Sequence, residues 1–526
     1  MRAEAAPAAT PALAVPTPAP RGAALTHRAS LNALQALIDY VAKLIVTFVV
    51  TPILVTALGR SLYGVWEMLA RLIGYMSASD ARPMEALRLV LATRQGRSDP
   101  AGHRRAVGSA LVVWVIFLPL VVAVGAVLVW LAPIITKVSA ELRPTVRVAA
   151  ALLVGCFLVT GLATVPESIL RGMNLGYKRM GLQAGLSLVG GALLALAVRN
   201  GLGLRGAAAS QLIIGALTGI CFWLLARRYV SWFGVARPTR PEVGALLGMS
   251  GWLAGGELIA NVSLASDVLI LGAVVSSSTV TTYVLTGYAA RLALGLHFRA
   301  VGSAMPGLGG VLGERQFERA AHLRRELLAL TWLCATAVGA TILLWNRSFI
   351  ALWVGPQLYA GPWVNLLIVL VTIQTALVRS DAFVLDAALQ PRARVIISAV
   401  AAVLVLGVGI LLAPSLGMAG VCLGLLAGRA VQSIAYPALV HASLGGRRAV
   451  PWRPVLRPLL ASVLVLGATA VLGERLLAPG WISYAGLVAV SFAVLVPVTF
   501  VTGLCDSDRR HVLTRVRQIW QGARRG

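Results

Sequence analysis

Apolar residues run through this chain in fourteen stretches, broken by short segments rich in Arg, Gly and Pro. Each stretch is about as long as the twenty or so residues an α-helix needs to cross a bilayer. The pattern predicts helices over residues 31–57, 61–81, 107–133, 145–170, 180–199, 206–228, 243–272, 279–300, 327–346, 362–385, 394–413, 417–441, 456–477 and 481–504. The intervals between them are too short to fold as soluble domains. The expected fold class is therefore an all-α polytopic membrane protein with 14 transmembrane helices. Two stretches have a different pattern. From Arg509 to Trp520, the residues Val512, Leu513, Val516 and Ile519 share one helical face with Arg elsewhere, and Phe317 to Leu328 carries Arg319, Arg324 and Arg325. Both are expected to lie on the inner leaflet as topology anchors.

Composition agrees with the pattern. Apolar residues make up 58% and charged residues 12%, against roughly 45–50% and about 25% in a soluble domain. The first 29 residues, rich in Ala and Pro, lack the unbroken apolar core of a secretory signal and read as a disordered cytoplasmic tail. Cys156, Cys221, Cys334, Cys422 and Cys505 form no CxxC pair, so neither a disulfide framework nor a metal site is implied. No cofactor is expected.

The formal charge of +27 raises the possibility of nucleic acid, but the cations are scattered over many loops instead of gathered on one face. No nucleic-acid partner is expected. Topology accounts for the cations instead. With the N-terminus inside, the loops and tails assigned to the cytoplasm hold 33 of the 46 Lys and Arg, and the opposite loops hold 8. The positive-inside rule then puts both termini in the cytoplasm.

The two halves match at a nearly constant offset. Tyr63 precedes Arg71-Leu72 as Tyr283 precedes Arg291-Leu292, at an offset of 220; Leu202-Gly203 matches Leu416-Gly417 at 214; and Asp39 and Lys43 match Glu257 and Asn261 at 218. The offset maps predicted helices 1–6 onto 7–12. Because six is even, both copies run the same way through the bilayer. Two such bundles around an axis along the membrane normal form a transporter plan with the site between them near mid-depth. The expected organisation is a tail (1–29), a first lobe (30–242), a second lobe (243–445), two added helices (446–504) and a basic amphipathic tail (505–526).

The segments LGRSLYGVWEMLARLIGYMSASDA (58–81), LGLRGAAAS (202–210), WVGPQLYAGPWVNLLIVL (353–370) and LGMAGVCLG (416–424) resemble the multidrug/oligosaccharidyl-lipid/polysaccharide exporter superfamily, and within it the polysaccharide-type flippases. The likeness covers essentially the whole chain after the tail. It implies a MATE-like, V-shaped pair of bundles that alternates between inward-open and outward-open states in the bacterial cytoplasmic (inner) membrane. The implied cargo is a polyprenyl-pyrophosphate-linked oligosaccharide for exopolysaccharide, capsule or O-antigen (lipopolysaccharide) assembly. Its partners would be that lipid-linked substrate, the membrane lipids and a polysaccharide polymerase.

Five cations, Lys43, Arg71, Arg291, Arg379 and Arg429, fall well inside predicted helices, where an ionised side chain costs about 2.5–3.5 kcal/mol. They should face a partner or water. The candidate pyrophosphate-binding set is Arg291, Arg71, Lys43 and Arg379, and the resemblance supports basic residues on predicted helices 1, 2 and 8. Asp39 and Glu67, each four residues before Lys43 and Arg71, offer an alternative in which each pair neutralises itself. Arg291 has no such neighbour. Asp39, Glu67, Glu257, Asp267 and Asp381 are the candidates for ion coupling or for counter-ions to these cations.

A pyrophosphate-linked sugar cannot cross hydrocarbon unaided, because its charges and hydroxyls would all be desolvated. Carrying its negative charge outward across an inside-negative membrane gains about 2.3 kcal/mol per charge per 100 mV. No Walker-type GxxxxGK[ST] loop is present. The alternatives are a lipid II flippase, a cation-coupled multidrug antiporter, for which an acidic or aromatic cavity is expected, and a membrane glycosyltransferase or ligase. The short outward loops carry no nucleophile or metal constellation, so the expectation is that the chain is not an enzyme.

Overall fold

The computed structural model describes residues 21–94, 99–179, 181–388, 391–444, 453–506 and 509–510. All regular secondary structure among them is helical. The expected amphipathic segment at 509–520 lies outside the described residues beyond Arg510. Residues 21–29, expected as part of a disordered tail, are instead the first turns of helix α1 (Arg21–Tyr75).

α1 contains the first two predicted helices, and its break is Gly59, whose φ of +73° is outside the helical region. A residue without a Cβ adopts that conformation at little steric cost. After the short α2 (Pro83–Arg94) come α3 (Pro100–Ile135), α4 (Arg143–Gly172), α5 (Leu182–Arg199), α6 (Gly203–Tyr229) and α7 (Arg240–Val274). The eighth predicted helix is divided in two, α8 (Ser277–Thr286) and α9 (Tyr288–Gly313). The remaining helices are α10 (Phe317–Trp353), α11 (Pro362–Ala387), α12 (Pro391–Leu416), α13 (Met418–Ser443), α14 (Arg453–Gly473) and α15 (Trp481–Gly503). Phe317 to Leu328 is the continuous first third of α10, not a separate surface helix.

Eleven helices among the described residues are long and apolar enough to cross a membrane, so the chain is a multi-pass membrane protein. Their outer faces remain apolar: Leu411, Leu464, Ile482 and Val490 are all more than half exposed, a surface that lipid covers and water would not tolerate.

α1 and α3 to α6 pack among themselves, α7 and α9 to α13 do likewise, and α14 and α15 rest on α10. The two groups meet where α1 lies against α7 and α8 and where α7 packs on α2 and α3. The segment joining them is pinned to the first group: Arg104 Nε donates to the Trp232 carbonyl at 2.8 Å and Ala236 N to the Arg104 carbonyl at 3.1 Å. Glu242 caps α7 in a capping box with Thr239 and meets Arg105 at 3.1 Å. The backbone N–H of Thr239 holds the Glu242 carboxyl below the usual carboxylate range.

One of the sequence matches between the halves is also a match in backbone conformation. Gly203 and Gly417 open α6 and α13 with φ of +55° and +56°, so the Leu-Gly pair turns the chain into the helix in the same way in both halves. Alanine at either position should lower the melting temperature of the solubilised protein, by about 1–2 kcal/mol of stability per site. Unchanged melting would show that both backbones relax freely.

Candidate functional site

At one end of the molecule the two groups are joined tightly. The start of the second arm of α1 lies on α8 so closely that a Cβ added to Gly64 would sit 1.8 Å from the Ser277 carbonyl oxygen. Ser61 and Ser277 hydroxyls are 3.0 Å apart, Thr281 Oγ1 donates to the Arg60 carbonyl at 2.6 Å, and Arg60 Nη2 donates to Thr282 Oγ1 at 3.0 Å. Lys137 Nζ adds a bond to the Val274 carbonyl at 3.1 Å.

At the other end, which carries the Arg-rich loops, the first group holds a cavity of about 520 Å³ to which the second group contributes Arg299. One wall is the first arm of α1 together with α9, and it presents Asp39, Tyr40, Lys43 and Arg299. The facing wall presents Arg88 from α2, Glu167 and Arg171 from the end of α4, and Arg179 from the α4–α5 turn. The two groups are thus joined across α1 and α8 at one end, and a basic cavity lies at the other.

The spacing of Asp39 and Lys43 suggests an internal ion pair, but the two do not pair. Gln35 Nε2 takes the Asp39 Oδ2 at 2.6 Å, and among the described residues Lys43 has no carboxylate within 4.0 Å. Glu67 and Arg71 do not pair either. The Tyr63 hydroxyl donates to Glu67 Oε1 at 3.1 Å, and the Arg71 Nε is buried without a hydrogen-bond partner. Local competitors one turn away take both carboxylates, leaving Lys43 and Arg71 unneutralised by the residues that helical spacing offers them.

Arg291 lies at the seam. Its guanidinium donates to the Val284 carbonyl of α8 and acts electrostatically on the hydroxyls of Tyr63, Tyr283 and Tyr288. The two repeat-related tyrosines play matching parts, since Tyr63 donates to Glu67 as Tyr283 donates to Asp267 at 2.9 Å. Measured by helical rise from the closed end, Arg71, Arg291 and Lys43 lie about 18, 21 and 24 Å along their helices. The three therefore occupy similar depths on elements that border the seam. Tyr40 ties the wall together: its hydroxyl donates to the Leu292 carbonyl at 3.3 Å, and the Arg299 guanidinium stacks 4.5 Å from its ring centroid.

Arg379 is elsewhere. It stacks between Phe298 and Phe383, with centroids at 5.5 and 4.9 Å, and lines a cavity of about 80 Å³ within the second group together with Arg394 and Arg429. Asp381 faces away from it into a two-pronged ion pair with Arg324, Nε–Oδ1 2.7 Å and Nη2–Oδ2 3.0 Å. That carboxylate is 5% exposed and fully engaged in holding α10 to α11. Removing one partner of such a buried pair leaves the other charge uncompensated. Asp381→Ala should therefore cost about 3–5 kcal/mol, read as a large drop in melting temperature, while a variant that melts like the wild type would place the pair in water. Asp267 lies within electrostatic reach of the buried Arg429 as well as bonding Tyr283. The Glu257 side chain lies outside the described residues. Among the described residues no group of three His, Cys, Asp or Glu side chains converges as a metal site would need.

Arg88, Arg171, Arg179 and Arg299 carry no role in the sequence reading beyond topology. They come from four separate elements, and no spacing along the chain announces that they share one cavity.

A family model described as "Polysaccharide biosynthesis protein" matches residues 102–308. Among solved structures, the lipid II flippase MurJ in an inward closed conformation is similar with a TM-score of 0.66 at 11% identity, over 89% of this chain and 98% of that one. An inward-facing multidrug resistance MATE family transporter of the MOP superfamily is similar with a TM-score of 0.64 at 15% identity, over 80% and 98%. A MATE crystal structure in the bent conformation follows at 0.55 and 14%, over 81% and 98%. No curated protein sequence matches. The chain thus carries the fold shared by these transporters, and over residues 102–308 the family model agrees with the polysaccharide-type resemblance read from its sequence.

Proposed function

We propose that this chain, built on the fold these transporters share, is a flippase. It moves a polyprenyl-pyrophosphate-linked oligosaccharide from the inner to the outer leaflet of the bacterial cytoplasmic membrane by alternating access. In this reading the chain has fourteen transmembrane helices in two lobes with both termini cytoplasmic, and α14 and α15 stand outside the duplication. The Arg-rich open end faces the cytoplasm, so the molecule is inward-facing.

The observation that carries the proposal is the cavity at the basic end, in which five cations, Lys43, Arg88, Arg171, Arg179 and Arg299, outnumber the carboxylates beside them. Lys43 and Arg299 meet the pyrophosphate at the mouth, and Arg291 and Arg71 receive it deeper. Unpaired cations in a low-dielectric surround bind phosphate strongly and at short range. The same cations disfavour the organic-cation cargo of a multidrug antiporter, because like charges repel across the few ångströms of such a cavity.

The test is the distribution of lipid-linked sugars in a strain lacking the gene. Accumulation on the cytoplasmic leaflet supports flipping. A normal leaflet distribution, or an unassembled or differently elongated glycan, overturns it and favours an enzyme acting on the same carrier.

A further inference from the structure

The second wall of the open cavity holds a group of cations that the pyrophosphate reading does not use. Arg88, Arg171 and Arg179 converge from α2, the end of α4 and the α4–α5 turn. Their carboxylates are Glu85, paired with Arg88, and Glu167, which Arg179 and Arg171 share, the latter at 3.5 Å. Three guanidinium groups therefore share two carboxylates. The Nε atoms of Arg88 and Arg179 are buried without a hydrogen-bond partner, and Arg179 is held at 11% exposure. A buried guanidinium N–H without an acceptor is costly, and these two have none among the described residues. Gln183 lines the same cavity and offers an amide beside the guanidinium groups.

Lys43 and Arg299 stand on the opposite wall of the same space, on different helices. A head group that fills the cavity meets cations at its lipid-proximal phosphates and again at its glycan.

We infer that the Arg88–Arg171–Arg179 wall is a second anion site that recognises a negatively charged group on the glycan itself, a uronate, another carboxylate or a phosphate substituent, so that the cargo is an acidic oligosaccharide. This rests on the proposed flippase reading. The wall sets which head groups are taken, and the cations on α1 and α9 bind what every such carrier lipid has in common. Glu167 limits the strength of the site by occupying two of its three guanidinium groups.

The test compares two probes on the full-length protein in phosphatidylcholine nanodiscs: a polyprenyl-pyrophosphate-linked disaccharide of neutral sugars, and the same lipid with a uronic acid as its terminal sugar. Wild type should bind the acidic probe about tenfold more tightly, the scale of one added charge-assisted hydrogen-bonded contact. Arg88→Gln combined with Arg171→Gln should reduce that ratio towards one. Glu167→Gln should raise it above wild type, a gain that a misfolded protein cannot give. Equal affinity of wild type for the two probes, or loss of both in parallel in the Gln variants, overturns the inference while leaving the flippase reading intact. Binding of neither probe by folded wild type removes both. Repeating the comparison with phosphatidylglycerol in the nanodisc separates the two sources of anion: if that lipid abolishes the preference, the wall belongs to membrane head groups and the inference fails.

Discussion

Arg291→Ala abolishes export, by at least about thirtyfold, the lower end of what removing one partner of a buried charged contact costs, while the protein accumulates and melts normally. Normal folding is expected because Arg291 makes no salt bridge among the described residues. Its guanidinium donates to the Val284 carbonyl of α8, seven residues back, and lies in the field of three tyrosine hydroxyls. Its charge is therefore available to a ligand. Arg291→Lys should restore part of the activity, since a point charge remains but the planar fork is lost. The measurement is leaflet-resolved transport alongside melting of the same variants. Retained transport in Arg291→Ala would remove the residue from the site, and loss of transport together with loss of folding would make it structural.

A disulfide between cysteines placed at Ser61 and Ser277 arrests transport under oxidising conditions and releases it with reductant. The two hydroxyls stand 3.0 Å apart across the closed end, a separation that a small adjustment brings to the bond length of a disulfide. The five native cysteines are replaced first, so that only the new pair responds. Alternating access requires this end to part, and a covalent bond across it forbids the second state. Gly64→Leu perturbs the same contact in the opposite sense: with its Cβ 1.8 Å from a backbone oxygen, the end cannot close, and residues such as Thr281, now fully buried, become accessible to labelling from that side. Full transport by the oxidised double-cysteine protein would mean that the closed end never opens.

The course of the helices was legible in the sequence because hydropathy and the bilayer's thickness determine it. The break at Gly59 and the paired turns at Gly203 and Gly417 could be read as well, since a Leu-Gly pair before an apolar run has few other uses. The division of the eighth predicted helix into α8 and α9 was not legible, because Thr286-Gly287-Tyr288 interrupts no hydrophobic run. Side-chain pairing was legible least. Helical spacing offers Asp39 to Lys43 and Glu67 to Arg71, but Gln35 and Tyr63 lie one turn away on the same faces and take both carboxylates. Asp381 meets an arginine 57 positions away, a partner no local rule could find. Arg429, one of the five cations expected to face a partner or water, is buried within α13. The basic cavity is the clearest case. Its cations come from loops whose charge the positive-inside rule already explains, so topology concealed their convergence.

The central claim is that the cationic seam carries an anionic, lipid-linked head group across the bilayer, and reconstitution tests it directly. Purified protein in liposomes loaded with a fluorescent polyprenyl-pyrophosphate-linked oligosaccharide should speed transfer of the head group between leaflets. An inside-negative potential should accelerate outward movement, and Arg291→Ala should abolish it. Folded protein that leaves the lipid-linked sugar in its original leaflet while moving an organic cation would contradict the account.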